Sequence, residues 1–149
     1  MNMQDIKKLR EESGAGVVEV KQALEEAKGD YAKALEELMK KASKKAEKRA
    51  DRTTSDGLVH SYIHAGGKIG SLIHIGCETD FVAKTDEFKT LCHNVSLQVC
   101  TDEFENLEAL LASEFIKDPS KTIENLIQDV IARTGEKVEL KNFSRFSVN

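Results

Sequence analysis

Two β-forming runs joined by a glycine pair constrain this chain more than any other feature. Leu58-Val59-His60-Ser61-Tyr62-Ile63-His64 is rich in branched and aromatic residues, Ala65-Gly66-Gly67 supplies a turn, and Lys68 to Cys77 forms the second run. A Gly-Gly pair between two such runs reads as a hairpin. Ile69, Ser71, Ile73, Ile75 and Cys77 alternate along the second run, so they share one face, and that face has to be covered.

The residues that follow can supply the cover. Thr85 is placed to cap a helix whose first turn carries Asp86 and Glu87, the favourable charge for a helix N-terminus. Phe88, Leu91, Cys92, Val95 and Val99 form its apolar stripe. A second helix is expected over Phe104, Leu107, Leu110, Leu111 and Phe115. Pro119, the only proline, separates it from a third helix carrying Ile123, Leu126, Ile127, Val130 and Ile131 and ended by Thr134-Gly135. Val138 to Val148 reads as a third strand with Val138, Leu140, Ser144, Phe146 and Val148 on one face. The order β-β-α-α-α-β implies an α+β fold, with helices on one face of a small antiparallel three-stranded sheet.

Upstream of the hairpin the pattern is different. Residues 3–39 read as three short helices: Ile6 and Leu9 on the first, Val17, Val20, Lys21, Leu24 and Ala27 on the second, Tyr31, Ala34, Leu35 and Leu38 on the third. Gly14-Ala15-Gly16 and Lys28-Gly29-Asp30 supply the turns and caps. Three helices this short bury only a modest core. Lys40 to Arg52 is basic and poor in large apolar residues, and is expected to be a solvated helical linker; an RNA or acidic-protein contact is the alternative. The expected division is residues 1–39 as a three-helix module, 40–54 as the linker, and 55–149 as the α+β core.

Charge follows the same division. Residues 1–52 carry 13 Lys/Arg and 11 Asp/Glu against 9 and 15 in residues 53–149, so the body is acidic within a net charge of -4. An acidic body argues against a broad nucleic-acid surface. No apolar run approaches the roughly 18–20 residues of a membrane-spanning helix, and Met1-Asn2-Met3-Gln4-Asp5 has no signal-type segment. The expected location is the cytoplasm.

Catalytic constellations are missing from the pattern. There is no phosphate-binding loop of Walker type, no nucleophile elbow and no zinc-protease helix motif. His60 and His64 are about 13 Å apart if both lie on one strand, too far to share an ion, which leaves only a cross-hairpin pairing with His74. Cys92 and His93 are helix neighbours that point in different directions. Cys77, Cys92 and Cys100 have no paired spacing, and Cys77 and Cys92 read as small buried hydrophobes. The chain is expected to be a non-enzyme without metal or cofactor.

The remaining candidate is the strand-to-helix junction Cys77-Glu78-Thr79-Asp80-Phe81-Val82-Ala83-Lys84. An acid beside a large aromatic at such a junction can make a protruding contact. Phe81 also lies seven residues before Phe88, where it could begin the buried stripe, and Asp80 could be no more than a helix cap. Residue pattern alone leaves both pairs of readings open.

Two stretches together resemble the elongation factor Ts family. The first is Ile6-Lys7-Lys8-Leu9-Arg10 followed by Ser13-Gly14-Ala15-Gly16-Val17-Val18-Glu19-Val20-Lys21-Gln22-Ala23-Leu24; the second is Cys77 to Lys84. Gly135-Glu136-Lys137 and Phe143-Ser144-Arg145-Phe146 look like the family's C-terminal end. The resemblance implies a ubiquitin-associated-like fold for residues 1–39 and a dimerisation-type α+β core. It implies a translation factor of protein biosynthesis that exchanges guanine nucleotide on elongation factor Tu. Thr79, Asp80, Phe81 and Val82 would dislocate the partner's magnesium ion, with Val17, Val18, Lys21 and Phe146 as docking residues. Only about 50 residues separate Lys84 from Gly135, so a short form is expected, and short members can pair as homodimers. No membrane and no direct nucleic-acid partner is expected. Two other classes stand as alternatives, a ubiquitin-like or peptide-binding adaptor built on residues 1–52 and a ribosome-associated RNA-binding protein using Lys40 to Arg52.

Overall fold

The computed structural model describes residues 2–149, which divide into two compact units meeting between Arg52 and Thr53. The first holds three helices, α1 (Met3–Ser13), α2 (Val17–Glu26) and α3 (Tyr31–Ala50). Their starts are set by local chemistry. The Asn2 side chain accepts from the Gln4 amide, the Glu19 carboxylate accepts from the Gly16 amide, and Asp30 accepts from the Lys33 amide. Leu9, Val20, Ala23 and Ala34 are fully buried, with Ile6, Leu24 and Leu38 closing the core around them. The basic stretch after Leu38 continues α3 without a break. Its Lys45 pairs with Glu19 of α2, and this ion pair, with the Gly16 amide, holds the Glu19 carboxyl below its usual range.

In the second unit β1 (Asp56–Ile63) and β2 (Ile69–Cys77) form the antiparallel hairpin, and β5 (Val138–Ser147) pairs antiparallel with the other side of β2, giving the order β1-β2-β5. The chain between them forms α4 (Asp80–Ala83), α5 (Asp86–Val99), α6 (Leu107–Ala112), the short strands β3 (Glu114–Phe115) and β4 (Asp118–Thr122), and α7 (Ile123–Thr134). Ile73, Ile75, Cys77, Phe88, Cys92, Val95, Val99, Leu110 and Ile123 are buried to within 1% and make one core between sheet and helices. Burial pushes the Cys77 thiol up to about 11 and the Cys92 thiol up to about 12, so neither offers a reactive thiolate at neutral pH.

The sheet admits no side chain at Gly57. Its φ is +142°, and a Cβ there would lie 2.1 Å from the Ile75 carbonyl oxygen on the paired strand. Ser71 and Gln98, both buried, find partners across the core. Ser71 Oγ donates to the Ser96 carbonyl at 2.6 Å, and the Gln98 side chain donates to Glu114 O at 2.8 Å while accepting from Ile116 N at 3.0 Å.

Two expectations are corrected. Phe104 to Phe115 is not one helix. Asn106 caps α6 by accepting from the Ala109 amide, which leaves Phe104 outside, and Gln98 holds Glu114 and Ile116 in the β3–β4 hairpin, where Phe115 is buried as a strand residue. Nor do Val138, Leu140, Ser144, Phe146 and Val148 share a face. Ile75 pairs with Leu140 but His74 with Asn142, so Lys141 is an extra residue and the alternation reverses beyond it. Val138 and Leu140 are buried, whereas Phe146 is 75% exposed on the opposite face.

Candidate functional site

The junction lies where β2 ends. Cys77 is the last strand residue, Glu78 and Thr79 leave the sheet, and four residues form the single turn α4. Thr79 has extended backbone and caps that turn, its hydroxyl accepting from the Val82 amide at 3.4 Å. Thr85 then caps α5, accepting from the Phe88 amide at 3.2 Å and donating its hydroxyl to the Val82 carbonyl at 2.7 Å. Two caps six residues apart leave the turn between them little freedom.

One face of this turn points inward. Val82 and Ala83 are buried in the sheet–helix core, and their burial directs the preceding residues outward. Phe81 is 81% exposed, more than any other large apolar side chain among the described residues. The reading that placed it at the head of the buried stripe is excluded by that exposure; the stripe begins at Phe88. Asp80 is not the cap, a role Thr79 fills. Its carboxylate takes a 3.1 Å ion pair with Lys84 one turn on, with both side chains more than half exposed. Exposed pairs of this kind contribute little to stability and are readily exchanged for another partner.

A second carboxylate holds the junction from below. Glu136 Oε1 accepts from the Glu78 and Thr79 amides at 3.1 and 3.0 Å, and its Oε2 accepts from Thr79 Oγ1 at 2.7 Å. Glu78 answers in kind, accepting from the Lys137 amide at 3.0 Å. The sequence marks Glu136 only as part of the Gly135-Glu136-Lys137 stretch and gives it no role at the junction, because its contacts are 57 and 58 residues away.

The other candidate residues are dispersed. Val17, Val18 and Lys21 lie exposed at the start of α2 in the first unit. Phe146 is on the outer sheet face opposite Gly70. Seven residues of strand, about 23 Å, separate Gly70 from the Cys77 end where the junction sits. His60 and His74 are on opposite faces of the sheet, since Val59 pairs with His74 and His60 with Ile73. His60 instead bonds Ser96 and stacks edge-on with His93, its ring held below the usual imidazole range by burial and by that neighbour. Among the described residues no group of three or more His, Cys, Asp or Glu is placed to hold a metal ion, and no helix is long and apolar enough to cross a membrane.

Comparison with known proteins joins these observations. Residues 78–149 match the family described as Elongation factor TS. An elongation factor Ts of Moorella thermoacetica is 38% identical over 189 aligned positions, which take in 97% of this chain and 93% of that protein. One of Thermotoga maritima is 37% identical over 191 positions, covering 99% and 96%. Both alignments are longer than the 149 residues present here, so those relatives carry internal segments that this chain lacks. An elongation factor Ts of a Nostoc species is 41% identical over 143 positions, 96% of this chain but 45% of the Nostoc protein. With the junction at the start of the matched region and the three-helix unit inside the full-length alignments, the chain belongs to the elongation factor Ts family of translation elongation factors.

Proposed function

We propose that the protein is a guanine-nucleotide exchange factor rather than an enzyme, binding elongation factor Tu with GDP in place and promoting its replacement by GTP. The observation that carries this reading is Phe81, exposed on a turn fixed by two helix caps and a buried valine. A GTPase grips its nucleotide through phosphate-cradling amides and a magnesium ion that bridges protein and phosphates. A stiff aromatic wedge pressed between the elements that hold that ion moves its ligands and weakens both grips.

Within the segment Thr79 to Val82 the roles divide. Thr79 and Val82 are the mount, and Asp80 and Phe81 make the contact. Burying Phe81 in a partner pocket contributes roughly 1.5–3 kcal/mol, about one to two powers of ten in affinity. Asp80 can trade Lys84 for polar groups of the partner. Linkage makes the effect reciprocal, so that a factor which loosens nucleotide is loosened when nucleotide rebinds. Val17, Val18 and Lys21 add docking area from the three-helix unit, and the setting is the cytoplasm. A role of α3 in RNA binding is weakened by its own ion pairs, Lys40 with Glu36 and Lys45 with Glu19. The direct test is release of a fluorescent GDP analogue from purified elongation factor Tu. The protein is expected to accelerate release in proportion to its concentration, and release at the unassisted rate would sink the reading.

The same reading includes a homodimer. All helices of the second unit cover one face of the sheet, leaving Val59, Ile63, Leu72 and Phe146 on the other, between 49% and 75% exposed. Exposed apolar side chains on a sheet face are covered well by another sheet face, stacked about 10 Å away. A second copy presents that surface by symmetry. Light scattering behind size-exclusion chromatography is expected to give a dimer that Phe146→Asp converts to a monomer. A wild-type monomer at micromolar concentration would refute the pairing.

A further inference from the structure

We infer that Glu136 is a positioning residue for nucleotide exchange, the group that sets how firmly the Asp80–Phe81 turn is mounted; the inference rests on the exchange-factor reading. Where β2 ends, the amides of Glu78 and Thr79 leave the sheet ladder and need acceptors. One carboxylate takes both, together with the Thr79 hydroxyl, so three donors converge on two oxygens at 2.7–3.1 Å. The Thr79 hydroxyl it binds is the one that caps α4, which places Glu136 one hydrogen bond from the turn that carries Phe81.

Glu136 is itself held from behind. Gly135 follows α7 with φ +73°, a left-handed conformation that turns the chain back toward β2. The Glu136 amide then donates to Thr134 Oγ1 at 3.3 Å, and that hydroxyl donates to Val130 O at 2.8 Å. With Glu78 accepting from the Lys137 amide, the two segments grip each other from both sides. This grip anchors the turn to the end of α7 and the start of β5, and a wedge transmits force only as far as its mount resists.

The role predicts a particular division of effects. Losing the carboxylate leaves the docking surfaces in place but loosens the turn, so it lowers the nucleotide-release rate at saturating factor and spares the concentration needed for half-saturation. Glu136→Ala is expected to reduce the saturating rate about tenfold, the scale of losing charge-assisted hydrogen bonds, and to shift half-saturation less than about twofold. Amide hydrogen exchange at Glu78 and Thr79 should quicken by a similar factor. Glu136→Gln keeps one carbonyl oxygen for the two amides and should recover part of both. Ile127→Val, which thins the core on α7 and removes none of the junction's hydrogen bonds, serves as the control for general destabilisation and should leave the saturating rate unchanged. An active wild type with Glu136→Ala equally fast at saturation overturns the inference alone, whatever its amide exchange. A Glu136→Ala effect matched by Ile127→Val overturns it too, as does a loss confined to half-saturation. An inactive wild type overturns the exchange reading and this inference with it.

Discussion

Replacing Phe81 by alanine is expected to remove most of the acceleration of GDP release while leaving the fold untouched. Phe81 is 81% exposed and contributes nothing to either core, so truncation should change thermal stability by no more than about 0.5 kcal/mol, the ordinary range for surface substitutions. Its contact with the partner is another matter. If the ring is buried there, deletion forfeits roughly 1.5–3 kcal/mol of the interaction that opposes nucleotide binding, a fall of about 10- to 100-fold in assisted release. Circular dichroism melts and stopped-flow release on the same preparation separate the two. Unchanged release would refute the wedge, and a lowered melting temperature would mean that the ring packs against its own chain.

Phe88→Ala should do the reverse. Phe88 is fully buried in the core between sheet and helices, and no rearrangement of a well-packed neighbourhood refills a benzyl-sized hole. The expected cost is roughly 3–5 kcal/mol, a large part of the 5–15 kcal/mol that stabilises a typical domain. At about 4–8 °C per kcal/mol for a unit of this size, the melting temperature of the Thr53–Asn149 unit should fall by more than about 12 °C. Thermal or urea denaturation measures it, and a loss below about 1 kcal/mol would contradict the packing described. Two phenylalanines seven residues apart, equivalent by helical spacing, are thus expected to respond in opposite ways.

That pair marks the limit of what residue pattern conveys. The hairpin, the alternation in β2, the helix stripe from Phe88 to Val99 and the caps at Asp30 and Thr85 were legible because each depends on residues within one element. The fate of Phe81 was not, because it turns on Val82 and Ala83 entering the core and on Thr79 capping a separate turn before α5 begins. Periodicity assumes one continuous helix, and here two caps break it. The extra residue at Lys141 was hidden for a similar reason. A bulge appears only when β5 is laid against β2, and it puts Phe146 on the face opposite Val138 and Leu140 rather than on theirs. The Gln98 amide, which no local pattern marks, holds the β3–β4 hairpin 16 to 18 residues away. The Glu136 grip on the junction spans longer separations still. In the last three cases the deciding contact joins segments that local spacing cannot relate.

The central claim is that the exposed turn acts by weakening the partner's hold on magnesium. Release of a fluorescent GDP analogue from elongation factor Tu, measured with and without the protein in excess magnesium and again with the ion chelated, tests it most directly. If the ion is the target, chelation and factor act on one interaction and their effects do not multiply. The account predicts a large acceleration in magnesium that shrinks by at least about tenfold once the ion is gone, a loss of about 1.4 kcal/mol of coupling. The same fold-acceleration under both conditions would contradict it.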